Sequence, residues 1–443
     1  MIPRRTDAAA EPLFPEGHAL SRLVRPTFES LRAALGSIFV ATIWIDADED
    51  PSRAGFRPSY DSIKGPGSST LMPFVAAWLS TGPGTERGGN VVLLPDKMDR
   101  SLIEYATEIG LLGPYEWISG LAAMKARVRS DGEGRRLYNI DDLEPAFDEH
   151  AVIGSSLSRW LNSKDSLETV TSYAPYETVK DMYEASAEDY AAAAERAKGG
   201  RVFLKTCNTE SAGKGVFIAN DRAEFDARLL EIREAQARFG LSRRLVIQPE
   251  IRGRNCSFQV LLDPKKRDAV QVVALSDQLV EPDGKTYRSS VNHPITAELV
   301  APVGPAILDM VDRIWARHPE AFGFLMSDYF QTESGPVLYD PGIRPTGNTA
   351  TAMAAHLARS LTGRFFATSL VPLPTNEPGL TFAGFRSRAP QLFQPESIVE
   401  RGYAVMPWGW NAIQGFGMLI AIAEDEAGLA RVRASLEGLA ARA

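Results

Sequence analysis

Cysteine and histidine are scarce in this chain, which has 2 Cys and 5 His among 443 residues. Two thiols, Cys207 and Cys256, cannot build a disulfide framework or a cysteine-based zinc site. Long apolar runs are lacking too. Stretches such as Met418-Leu-Ile-Ala-Ile-Ala423 fall far short of the roughly 20 residues that span a bilayer. Positive charge is not in excess: 48 Lys and Arg stand against 56 Asp and Glu, a formal charge of -8 with a pI of about 5.4. That balance argues against a general nucleic-acid binder, and no membrane partner is expected. Asp7 and Glu11 sit where a secretory signal would need an apolar core, so a soluble, cytoplasmic protein is expected. The motifs GxGxxG, HExxH, CxxC and GxSxG are all missing. Ser211-Ala-Gly-Lys-Gly215 imitates a Walker A loop and fails: Asn208 replaces its first Gly, and Gly215 stands where Ser or Thr would hold the metal.

What is present suffices for a globular enzyme. The chain is 44% apolar and 9% aromatic, which excludes disorder, and its length suggests about three units of roughly 150 residues. A Pro- and Ala-rich arm leads into a helix that ends near Gly36. Buried-type strands follow at 37–45 and 90–95, then helices around 102–109 and 116–127. Alternating strands and helices imply an α/β unit over 1–150. From about 150 the texture changes. A helix starts at Ser163-Lys-Asp-Ser, and an Ala-rich one covers 187–198 up to Gly199-Gly200. Strands at 201–205 and 215–219 flank a polar loop. Asp221-Arg-Ala-Glu224 forms a capping box that opens another helix. Strands at 244–248, 256–262 and 270–275, a helix at 307–317, a hairpin at 324–339 and a helix at 349–361 complete this part.

The hairpin carries the most chemistry. Centred on Ser334 with a five-residue loop, Thr332 to Pro336, it sets Asp328 opposite Asp340, where like charges are destabilising. A shared divalent cation, Mg²⁺ with its oxygen ligands, removes that conflict. The bland alternative is one Asp paired with Arg344 and the other exposed. Arg344-Pro-Thr-Gly-Asn348 then runs into a helix N-terminus, which suits a phosphate or acyl-phosphate oxygen. Lys205 ends an apolar strand, so an anion should lie near it. The loop Asn208-Thr-Glu-Ser-Ala-Gly-Lys-Gly215 could fold over phosphates through its amides and Lys214, or be a plain turn. Lys164, judged alone, reads as a surface residue. Arg244-Leu-Val-Ile-Gln-Pro-Glu-Ile251 reads alone as a core strand and turn.

Taken in order, Lys164, Lys205 with its glycine loop, Gln248-Pro-Glu-Ile251, Asp328 and Asp340-Pro-Gly-Ile-Arg344 resemble the ATP-grasp superfamily over roughly 155–360. With the preceding 1–150 unit the arrangement is similar to the pre-ATP-grasp proteins, and within them to peptide ligases of pheganomycin-type antibiotic biosynthesis. The resemblance implies an α/β N-terminal domain at 1–150, then α+β ATP-grasp lobes at 151–245 and 246–370 with ATP between them. Residues 371–443 complete the fold. It implies that Lys164 and Lys205 contact the phosphates and adenine, and that Ser211, Gly213, Lys214 and Gly215 close over the β- and γ-phosphates. It places Gln248 and the backbone of Glu250 and Ile251 at the adenine edge, and Asn255 near the ribose. Asp328 and Asp340 would hold Mg²⁺, while Arg288 and Arg344 would steady the transferred phosphoryl group. One departure is evident. The family pattern Glu-x-Asn-x-Arg reads Asp340-x-Gly342-x-Arg344 here, so a second metal would either be bound weakly or use Asn348 instead.

The expected activity is that of an ADP-forming carboxylate–amine ligase, acting through an acyl phosphate on small-molecule acids and amines or peptides. A homodimer is among the expected states. A small-molecule kinase and a nucleotide-binding module without turnover are the alternatives, and Gly342 favours the latter.

Overall fold

The computed structural model describes residues 9–35, 38–39, 90–94, 99–108, 115–119, 126, 130, 136–137, 151, 153–197, 200–207, 215–239, 242–280, 287–375, 377–394, 397–411 and 416–441. In the N-terminal part, β1 (Glu11–Pro12) pairs antiparallel with β2 (Leu23–Arg25), and the Phe28–Leu35 helix follows. Parallel pairs then form between β3 (Ile38–Phe39) and β6 (Arg136–Leu137), and between β4 (Asn90–Leu94) and β5 (Tyr115–Ser119). The Arg100–Glu108 helix lies between β4 and β5 in the chain, a strand–helix–strand order that fits the expected α/β character. The helix expected around 116–127 begins instead as β5. Tyr115, Trp117 and Ile118 favour a pleated ribbon, and the ladder with β4 decides the matter.

A small antiparallel sheet comes next, ordered β7 (Thr178–Asp181), β10 (Arg244–Pro249), β8 (Val202–Thr206), β9 (Val216–Ala219). Val202, Leu204, Ala219, Leu245 and Ile247 point into a core with Phe225, Leu229 and Ile232 of the Arg222–Phe239 helix. Asp221 caps that helix by accepting from the Glu224 amide at 2.8 Å. The Glu224 carboxylate reaches back to the Asn220 amide rather than to Asp221's own, so the capping box is one residue wider than expected. The Ala187–Arg196 helix starts on a true box between Ser186 and Asp189.

Among the described residues a ten-stranded sheet forms the remainder. Its path runs β15 (Gly335–Ile343), β14 (Gly323–Thr332), β11 (Arg254–Leu262), β12 (Val270–Val280), β13 (Tyr287–Asn292), β16 (Ala367–Pro374), β18 (Phe416–Ala423), β17 (Tyr403–Asn411). β2 joins it in parallel at Leu23↔Val270, which ties residues 11–25 to this sheet. The Gly304–Arg317, Gly347–Thr362 and Glu426–Ala440 helices contribute apolar faces to its core. Trp408 and Trp410 are core residues of β17, 2% and 0% exposed, and the Trp410 indole donates to the Leu380 carbonyl at 2.7 Å.

Candidate functional site

The hairpin β14–β15 positions the central pair by a device the sequence did not suggest. Thr332 pairs with Gly335, so the turn has two residues, Glu333 and Ser334, and not five. That register alone would set Asp328 against Tyr339. A bulge between Asp328 and Tyr329 shifts it by one residue and brings Asp328 opposite Asp340, as expected by another route. The extra residue is Tyr339. Its ring stacks on Phe330, centroids 4.8 Å apart, and its hydroxyl donates to Asn255 Oδ1 at 2.8 Å. Asp328 accepts a hydrogen bond from Gln278 Nε2. Burial, and then the charge of Asp340, push the Asp328 carboxyl up to about 7.

Two buried lysines face this pair. Lys164 lies in a short 3₁₀ turn, Lys164–Ser166, is 6% exposed, and places its Nζ 3.8 Å from Asp340 Oδ1. The surface reading of Lys164 in isolation is therefore corrected. Lys205 is also 6% exposed; its Nζ donates to the Tyr339 carbonyl at 3.4 Å and sits 5.0 Å from that ring's centroid. Burial pulls its pKa down to about 8 against the attraction of Asp340. Register explains its direction. Lys205 pairs with Val246 and Val216, and Phe203 with Gln248 and Ile218, so all six lie on the face of the small sheet turned away from its helices. Phe203, Val216 and Ile218 are only half-buried there, a partly uncovered apolar platform around one cation.

The other expected residues divide. Gln248 is 2% exposed and its Nε2 has no hydrogen-bond partner among the described residues. Such an orphan is the kind of group a ligand satisfies. The Glu250 amide donates to the Arg201 carbonyl at 2.9 Å, so it is not free for a base edge, and its carboxylate is paired with Arg201. Ile251 and Asn255 follow at the strand turn, half-buried. Gly215 is buried at φ 64°, a left-handed conformation suited to glycine, and its carbonyl accepts from the Thr206 amide at 2.8 Å. Ser211, Gly213 and Lys214 lie outside the described residues, as does the side chain of Arg288, whose backbone is in β13. Arg344 is half-buried, has no side-chain hydrogen bond or ion pair among the described residues, and acts through its charge on Asp328.

Asn348 is corrected. The Gly347–Thr362 helix starts two residues earlier than expected, capped by Thr346. Asn348 sits inside it, its Oδ1 accepting from Ser290 Oγ and its Nδ2 donating to Ser276 Oγ at 3.0 Å. Both ends bind helix to sheet, so the carboxamide is not free to ligate a metal in place of Gly342. A different amide occupies that neighbourhood. Asn162 Oδ1 accepts from the Ile343 amide at 3.1 Å and lies 3.1 Å from where a Gly342 Cβ would be. Sequence reasoning missed Asn162, Gln278, Tyr339 and Glu177; the last is 8% exposed with an unpartnered Oε1.

Among the described residues, no three of His, Cys, Asp and Glu converge as a metal cage. Two facing carboxylates nonetheless fit Mg²⁺, which keeps waters and shares its remaining positions with substrate phosphates. No described helix is long and apolar enough to cross a membrane.

No family model matches the chain, and no curated protein matches it. Solved structures do. An ADP complex of N5-carboxyaminoimidazole ribonucleotide synthetase is 13% identical, covers 83% of this chain and 93% of its own, and has a TM-score of 0.53. The biotin carboxylase domain of the Hydrogenobacter thermophilus 2-oxoglutarate carboxylase was solved with MgADP, ADP and bicarbonate. It is 13% identical over 83% of this chain and 87% of its own, TM-score 0.55. Phosphoribosylamine–glycine ligase from Thermotoga maritima is 12% identical over 79% and 96%, TM-score 0.52. At such identities the likeness concerns the fold, and that fold is the ATP-grasp fold.

Proposed function

We propose that this ATP-grasp chain is an ATP-dependent carboxylate–amine ligase that works through an acyl phosphate. The observation that carries the reading is the juxtaposition of the Asp328–Asp340 pair with the buried Lys164 and Lys205. Asp328 and Asp340 would hold Mg²⁺, which supplies charge neutralisation to the phosphates. Lys164, Lys205 and the Arg344 guanidinium bring positive charge to the same region, and side chains need contribute little more, because phosphoryl transfer depends on positioning and electrostatics. A substrate carboxylate oxygen attacks the γ-phosphorus, and the bond to the ADP oxygen breaks. An amine nitrogen then attacks the acyl carbon; phosphate leaves, the amine gives up a proton, and an amide remains.

The finer placement, peptide-bond formation between an amino acid or related acid and an amino acid or peptide, rests on the sequence resemblance. The test is chemical. Acid plus Mg-ATP with hydroxylamine should yield a hydroxamate, and the cognate amine an amide with one ADP per bond. A stable phosphorylated alcohol without hydroxamate identifies a kinase instead. Nucleotide binding with no ADP from any acid and amine pool identifies a binding module, the reading that Gly342 favours.

A further inference from the structure

Two buried side-chain atoms of opposite hydrogen-bonding character lack partners at adjoining places in the small sheet. The β7–β10 ladder ends at Thr178↔Ile247, and Glu177 and Gln248 are the next residues along the two chains beyond that last pair. Glu177 is 8% exposed and Gln248 2% exposed, yet Glu177 Oε1 and Gln248 Nε2 have no partner among the described residues. Buried polar atoms are paired in about 90% of cases or more, so an adjacent orphan acceptor and orphan donor imply a third group that serves both. Gln248 lies on the same face as Lys205 and the half-buried Phe203 and Ile218, a surface suited to a flat aromatic base.

Building on the nucleotide site of the proposed function, we propose that Glu177 selects the purine by accepting a hydrogen bond from the 6-amino group of adenine, while Gln248 Nε2 donates to the neighbouring ring nitrogen. Adenine offers an amino donor beside a ring-nitrogen acceptor, which complements the carboxylate and amide in turn. A 6-oxo purine inverts this: its oxygen would face the Glu177 carboxylate and leave it buried without a donor. Lys205 attracts the Glu177 charge, whereas burial raises its carboxyl to about 7, so an amino donor also relieves a strained ion.

The test is equilibrium binding of Mg-ATP and Mg-ITP, which differ at purine position 6 and in the hydrogen that the 6-oxo base carries on N1, to the full chain without acid or amine. A buried carboxylate left unpaired should weaken ITP about 10- to 100-fold relative to ATP. Glu177→Gln, whose amide can donate to a 6-oxo group, should bring the two within about threefold by tightening ITP. Equal binding of both by the wild type, as would follow if only a water bridges the two orphans, overturns the assignment. So does a wild-type ratio retained in Glu177→Gln. Should that variant fail to fold, purine riboside triphosphate decides on the wild type: lacking the 6-amino group, it should bind about tenfold or more weakly than ATP, and equal binding refutes the role of Glu177. Selective ATP binding without any ADP formation leaves this inference standing and sinks the ligase. Absence of ATP binding sinks both.

Discussion

Replacing Asp328 with Asn should stabilise the metal-free protein at alkaline pH while abolishing turnover. The variant keeps the oxygen that accepts from Gln278 and removes only the charge. In the folded chain, burial and Asp340 move the Asp328 carboxyl from its ordinary 3.8 to about 7. The folded state therefore binds a proton more tightly than the unfolded chain. Stability from this group falls as pH rises from about 4 to about 7, and the deficit is complete above that. At about 1.4 kcal/mol per pH unit the upper bound is about 4 kcal/mol. Solvent reaching the half-buried carboxylate reduces this to about 1–2 kcal/mol. Melting of metal-free wild type and Asp328→Asn at pH 5 and pH 8 reads the effect: a small advantage of the variant at pH 5 and a clearly larger one at pH 8. Mg²⁺ should raise the wild-type melting temperature more at pH 8 than at pH 5, because ligation requires the ionised carboxylate, and should leave the variant unmoved. An Asp328→Asn chain that is less stable at both values, or that still releases ADP, would refute the reasoning.

Two further outcomes follow from packing. Gly342→Asn, which restores the residue of the family pattern, should not raise activity and should cost about 1–3 kcal/mol, because its Cβ would meet Asn162 Oδ1 at 3.1 Å and Met326 Sδ at 3.2 Å. Thermal melts check this, with Asn162→Ala expected to rescue the double variant and an unaffected single variant counting against the crowding. Cys207 and Cys256 are buried, and burial pushes their thiols up to about 12 and about 11. Ellman's reagent at pH 8 should therefore find no thiol in the native protein and two after denaturation; rapid native labelling would show that one of them is reachable.

Lys205, Asp328 and Asp340 were legible as candidates because each belongs to a strand with a clear pattern. Lys205 interrupts an apolar strand and Asp340 closes a hairpin, and the Lys205 ammonium meets that hairpin at the Tyr339 carbonyl. What stayed hidden depends on contacts distant in sequence or on irregular pairing. No local pattern announces the bulge at Asp328 and Tyr329, and the Asp328–Asp340 match was reached only because that omission offset an overlong turn. Lys164 looked like a surface residue because its ion-pair partner Asp340 lies 176 positions away in the chain. Glu177 precedes a short, half-buried strand and shows nothing of its nearness to the end of the Thr178–Ile247 ladder until that ladder is drawn. The Tyr115–Ser119 segment was misassigned because its aromatic β preference competed with a helical spacing, and only the parallel partner settles that contest.

On the proposed reading, the charges around Asp328 and Asp340 explain why nucleotide and metal should bind as a pair. Burial moves three groups toward neutrality: Asp328 and Glu177 up to about 7, and Lys205 down to about 8. Each lacks enough countercharge within the chain itself. A divalent cation arriving alone would relieve Asp328 and Asp340 but would crowd Lys164, whose Nζ is 3.8 Å from Asp340. Phosphates arriving alone would relieve the lysines and add negative charge beside two carboxylates. On the proposed reading the metal–nucleotide complex answers both needs at once, so each component should bind more tightly in the presence of the other, and the coupling must be reciprocal. The same electrostatic conflict that lowers the stability of the empty site thus becomes selectivity for the complex over either part.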